Sequence, residues 1–140
     1  MSKLVRQIIT TLKAPPPVVP VYSQAVSFNN LLFLSGSLGI SKETNQLVEG
    51  GVVPQAIQAL ENIKNVLEAG NSNLNQVLKT TVYLKDINDF SAVNEVYHKY
   101  FNKDPPARTA FQIATLPLNA AVEIEVIAAV GDVVTVNSHL

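Results

Sequence analysis

Three side chains in this sequence stand out as able to do acid–base or anion-binding chemistry by their type and setting: Arg108, Glu123 and Glu125. Arg108, one of only two arginines, follows Pro105-Pro106-Ala107. A rigid approach fixes the direction of its planar guanidinium, which suits it to grip a carboxylate or phosphate through two parallel hydrogen bonds. The alternative is an ordinary salt bridge at a surface or interface. Glu123 and Glu125 stand two apart within Val122-Glu123-Ile124-Glu125-Val126, so a strand here projects both carboxylates from one face, roughly 7 Å apart. Carboxylates in such an apolar run are either working or paired, in the latter case with a Lys or with Arg108 across a sheet. Tyr22, Ser23 and Gln24 could offer hydroxyl and amide groups, and Asn94 a further amide. The Ser35-Gly36-Ser37 segment lacks the Gly-Lys-Ser/Thr of a phosphate loop but can present backbone N–H groups.

Other chemistries lack material. There is no cysteine, which removes disulfides, thiolate catalysis and cysteine-ligated zinc. His98 and His139 are the only histidines and lie far apart, leaving little for a metal site or a Ser-His-Asp triad. No metal and no cofactor is expected.

The elements that must carry these residues follow from periodicity. Leu4 to Thr10 reads as a strand, followed by a stiff connector through Ala14-Pro15-Pro16-Pro17. Ala25 to Phe28 and Leu31 to Leu34 flank Asn29-Asn30, a two-residue turn that tolerates positive φ, and predict a hairpin that exits into Ser35 to Gly39. Lys42 to Gly51 is a polar loop. The spacing of Val53, Ala56, Ile57, Leu60, Ile63 and Leu67 predicts a helix that Gly70 ends. Val77 to Lys85 predicts a strand with Leu78, Thr80, Val82 and Leu84 on one face. Asn88 or Asp89 can cap a second helix striped by Phe90, Val93, Tyr97 and Tyr100. Arg108 to Ala114 and Ala121 to Val130 read as a second strand pair joined through Leu116-Pro117-Leu118-Asn119. This order predicts an α+β fold: a single mixed β-sheet with two helices on one face.

The 140 residues make one domain, 1–140, whose 47% hydrophobic and 15% charged residues leave apolar surface to spare. The face without helices would be covered by symmetric copies of the chain. A net charge of −1 offers no field for a polyanion, and no apolar run is long enough to span a bilayer. The first 42 residues hold no acid and include Lys3, Arg6 and Lys13, a weak leader-like pattern that reads better as a first strand.

Pro106-Ala107-Arg108-Thr109-Ala110-Phe111, Leu116-Pro117 and Val122 to Ala128 together resemble the signature of the RidA (YjgF) family. Tyr22-Ser23-Gln24-Ala25, Ser35-Gly36, Val77 to Phe90 and Val93-Asn94-Glu95-Val96-Tyr97 fall in the family's order. The resemblance implies a fold like the Bacillus-type chorismate mutase, a homotrimer with sites between subunits, and cofactor-free hydrolysis of 2-aminoacrylate, 2-iminopropanoate and 2-iminobutanoate to 2-oxo acids. By position, Arg108 would hold the substrate carboxylate and Glu123 would place and polarise the attacking water. Tyr22, Ser35 and Asn94 would line the pocket, with backbone at Gly36 and Ala110 binding substrate. Ala110 stands where many bacterial members carry Cys, Ser37 where Gln is common, and Pro20-Val21-Tyr22 in place of Gly-Pro-Tyr.

Two other classes of function remain on the same fold. One is single-stranded RNA cleavage with inhibition of translation, described for animal relatives; two arginines and the absence of a basic aromatic platform weigh against it. The other is a non-catalytic, holdase-type binding module. The expected location is the cytoplasm, while Ser138-His139-Leu140 resembles the Ser-Lys-Leu peroxisomal address.

Overall fold

The computed structural model describes residues 1–139. Six strands, β1 (Gln7–Ile9), β2 (Ala25–Phe28), β3 (Leu31–Leu38), β4 (Val77–Leu84), β5 (Ala107–Gln112) and β6 (Val122–Ala129), form one sheet in the order β1-β2-β3-β6-β4-β5. Among the described residues only β4 and β5 pair in parallel. Helices α1 (Val52–Ala69) and α2 (Phe90–Tyr100) cover one face. This is the mixed α+β arrangement read from the sequence.

The first hairpin turns where expected, with Asn29 and Asn30 at φ 52° and 63°. Amide side chains make this left-handed conformation tolerable. β1 is shorter than the predicted Leu4–Thr10, since Leu4 and Val5 are exposed and gain nothing from pairing. β3 does not end at Leu34. It continues through Ser35-Gly36-Ser37 by a bulge, in which Leu34 faces Val126 and Ser37 faces Ile124, so two residues oppose Glu125 alone.

The expected pairing of β5 with β6 does not occur. β6 instead inserts between β3 and β4. Its Val122, Ile124, Val126 and Ala128 are essentially inaccessible and need strands on both sides, whereas β5 buries little and serves as an edge. In β4 a register shift between Val77 and Lys79 turns Val77 inward and leaves Leu78 exposed, correcting the predicted face.

Helix α1 buries Leu60, Ile63 and Leu67 as its spacing requires, yet Val53 and Ile57 are exposed while Gln55 and Asn62 are buried. Both amides serve the backbone. Gln55 Oε1 accepts from Ala121 N at 2.8 Å, and Asn62 Nδ2 donates to the carbonyls of Leu38 at 3.2 Å and Ile40 at 2.9 Å. Neither Asn88 nor Asp89 caps α2 through its side chain; Asp86 accepts from Asn88 N at 2.9 Å at a short 3-10 turn ahead of the helix.

The face away from the helices is open over Ile8, Phe33 and Phe111, which are 47%, 43% and 42% exposed. At one end a small second core of Leu38, Ile40, Leu116 and Ala120 covers it. Among the described residues no helix is long and apolar enough to cross a membrane. The Ser138-His139-Leu140 motif ends on a residue outside those described.

Candidate functional site

The predicted residues fall into two groups. The first surrounds a cleft of about 480 Å³ at the β3 edge beyond the end of β2. Its lining includes Tyr22, Ser35, Gly36, Glu123, the proline connector and Leu118. The connector is tied down by Gln24, whose Nε2 donates to the carbonyls of Pro15 at 2.9 Å and Thr11 at 3.1 Å while its Oε1 accepts from Thr11 N at 2.7 Å. Ser35 Oγ donates to the Ser23 carbonyl at 2.6 Å, and Tyr22 Oη accepts from Val18 N at 2.9 Å. Ser35 and Tyr22 thus hold the cleft wall in shape. Ser37 also lines the cleft, its hydroxyl donating to the Ala59 carbonyl of α1 at 3.3 Å.

Glu123 reaches the cleft because the β3 bulge places Gly36 beside it. A Cβ on Gly36 would overlap the Glu123 carboxylate, so glycine here lets that carboxylate keep its place and a larger residue would push it aside. The Glu123 carboxyl is half-buried and its pKa lies above the ordinary carboxylate value, first through desolvation and second through the charge of Glu125. Glu125 is exposed and accepts a hydrogen bond from Tyr83 Oη at 2.9 Å. Tyr83, directly across from Glu123 in the β4–β6 register, has a raised pKa from burial and from Glu125.

The second group sits on the helix side of β5. Arg108 Nη1 donates to Asn94 Oδ1 at 2.8 Å, and its Cζ lies 4.8 Å from the Tyr97 ring centroid and 5.5 Å from that of Phe90. Ala110 lies two residues along β5 on the same side, opposite Val82. Among the described residues the sole ion pair is Lys42–Glu43 at 4.0 Å. Neither Arg108 nor Glu123 is consumed by a salt bridge.

Strand register sets the two groups apart. Arg108 pairs with Thr80, which is buried under the helices, whereas Glu123 pairs with Tyr83 on the opposite face. β4 lies between their strands, a lateral separation of roughly 10 Å. One small molecule cannot touch both groups of a single chain. Sequence reading alone misses the proline connector, Leu118 and the aromatic wall around Arg108 as site residues; of these Leu118, at φ 56°, carries a local mark, the turn through Leu116 to Asn119. Among the described residues no cluster of three His, Asp or Glu could hold a metal ion.

The family described as Endoribonuclease L-PSP matches residues 11–130. The RutC family protein UK114 of Drosophila melanogaster is 53% identical over 96% of this chain and 97% of its own length. A protein of Capra hircus named 2-iminobutanoate/2-iminopropanoate deaminase is 52% identical over 96% of this chain and 98% of its own. The crystal structure of RidA from an Antarctic Psychrobacter superposes with a TM-score of 0.85 at 45% identity, covering 89% of this chain and 99% of that one.

Proposed function

The chain belongs to the Endoribonuclease L-PSP family, which includes RidA, and on that premise we propose that it hydrolyses 2-imino acids and their enamine tautomers to 2-oxo acids and ammonia. The observation that carries the reading is that, among the described residues, Glu123 and Arg108 form no ion pair, one in a cleft and one at an edge. A carboxylate-bearing electrophile needs such a pair: a cation to hold it and a base to direct water.

A protonated imine carbon is already electrophilic, so the protein has chiefly to orient reactants and move a proton. Arg108 binds the substrate carboxylate. Glu123 accepts a proton from water as the C–O bond forms and returns it to nitrogen; the C–N bond then breaks, ammonia leaves, and the new hydroxyl gives its proton back to Glu123 as the carbonyl of the 2-oxo acid forms. Its raised pKa makes it a stronger base than an exposed carboxylate. No step calls on a metal or organic cofactor.

Because the two groups lie on opposite faces, the working site is composite: the cleft of one subunit meets the Arg108 edge of the next. The open face with Phe33 and Phe111 is the surface that neighbouring copies would cover. A closed homotrimer, like the Bacillus-type chorismate mutase, supplies three such sites. The test is a threonine dehydratase-coupled assay of imine hydrolysis beside RNA cleavage on one preparation, with light scattering. Accelerated imine loss by a trimer supports the reading; RNA cleavage without it replaces it with the endoribonuclease alternative, and neither activity leaves a binding module. A stable monomer at micromolar concentration overturns the composite site.

A further inference from the structure

An arginine that binds a carboxylate contributes most when its direction is set before the ligand arrives. Among the described residues no carboxylate holds Arg108. One nitrogen donates to neutral Asn94, and two aromatic rings stand within cation–π range, Tyr97 at 4.8 Å and Phe90 at 5.5 Å. A holding carboxylate would occupy the same fork of donors that a substrate needs and would cancel the charge. Ring faces restrain the guanidinium while leaving its remaining N–H groups free.

The nearer ring is itself immobile. Tyr97 is 7% exposed and shares a 2.8 Å hydrogen bond with the hydroxyl of Thr80, which is fully buried. Thr80 stands directly beside Arg108 in the parallel β4–β5 register. A closed loop of contacts therefore runs from the core strand through the helix and back to the edge strand. Phe90, Asn94 and Tyr97 lie four and three residues apart, so successive turns of α2 present all three to one side chain. The Tyr97 hydroxyl is used on Thr80, leaving the ring face as its contact with the guanidinium.

We infer that Tyr97 is the positioning residue for Arg108, its ring face fixing the direction in which the guanidinium meets the substrate carboxylate, with Phe90 as a second, more exposed wall. The inference rests on the reading of Arg108 as the carboxylate anchor. It separates affinity from stability in a way that a purely structural tyrosine would not. Tyr97→Phe keeps the ring and loses the Thr80 hydrogen bond, so it should lower the melting temperature yet leave KM near wild type. Tyr97→Leu loses the ring and should raise KM, and the inhibition constant of 2-oxobutanoate, about tenfold. Phe90→Leu, at a position 37% exposed, should raise both about threefold with little effect on stability.

The experiment measures KM, kcat, 2-oxobutanoate inhibition and melting temperature for these three variants and Arg108→Lys. If Arg108→Lys binds 2-oxobutanoate normally, Arg108 is not the anchor and the functional reading itself fails. If Arg108→Lys is impaired but Tyr97→Leu has a normal KM, or Tyr97→Phe raises KM as much as Tyr97→Leu, the positioning inference alone is overturned. Should Tyr97→Leu not fold, Phe90→Leu and Tyr97→Phe decide: a wild-type KM in the first or a strongly raised KM in the second refutes it.

Discussion

Replacing Glu123 by Gln keeps the shape of the side chain and removes its basicity. Neither Tyr22 nor Glu125 of the same chain is placed to take over: Tyr22 Oη already accepts from Val18 N, and Glu125 is engaged by Tyr83 outside the cleft lining. The full contribution of a general base should therefore be lost, about 10²- to 10⁴-fold in kcat, while 2-oxobutanoate inhibition changes little because Arg108 still holds the carboxylate. The folded-state pKa of Glu123 is raised, so the protonated carboxyl is the form the fold favours. Any stability linked to this proton is present below the unfolded-state pKa and lost as pH rises through the folded one. Ionised Glu123 consequently costs stability at neutral pH, and Glu123→Gln should raise the melting temperature at pH 7 but not at acid pH. Activity in the wild type should fall as pH drops through the same raised pKa. Glu125→Gln removes one of the two causes of the shift, so it should move that acid limb to lower pH without abolishing turnover. The coupled deaminase assay across pH, with thermal melts on the same samples, reads all of this. Near-normal turnover in Glu123→Gln refutes the assignment, and a dead Glu125→Gln with an active Glu123→Gln shows that the other carboxylate is the base.

Gly36→Ala should displace the Glu123 carboxylate and lower kcat by about 100-fold; wild-type kcat would show that the bulge does not position the base. Asn62→Ala strips the Leu38 and Ile40 carbonyls of a buried donor and should cost about 1–3 kcal/mol in denaturant unfolding. Leu60→Ala empties a fully buried position of α1 and should cost about 2–5 kcal/mol by the same measurement. Phe33→Asp puts a charge on the open sheet face, and light scattering should show subunits dissociating together with loss of imine hydrolysis; an active monomer would contradict a site shared between chains.

Local chemistry made much of the fold legible. The Asn29-Asn30 turn, the Leu60-Ile63-Leu67 stripe and the alternation of Val122 to Ala128 each depend on residues adjacent in sequence, and each occurs as expected. The choice of partners for β6 could not be read that way. A fully apolar inward face says only that a strand is central, and the turn at Leu116 to Asn119 is compatible with either a hairpin or a return across the sheet. Nor could the burial of Gln55 and Asn62 be foreseen, because the backbone groups they satisfy lie 66, 24 and 22 residues away.

The sequence by itself supplied the identities of the chemical groups: one well-placed arginine, two carboxylates a strand period apart, and no cysteine or histidine pair to compete with them. Their resemblance to a family signature implies the roles of Arg108 and Glu123 without reference to the fold. Which residues share a face depends on strand pairing in the folded chain. The tertiary structure sets Glu123 against Gly36, places Arg108 between Tyr97 and Phe90, and puts the two groups on opposite sides of one sheet. The physical reason is that a strand's side-chain direction has period two. A single bulge or an exchanged neighbour therefore changes which side chains meet, and neither event leaves a mark in composition or spacing.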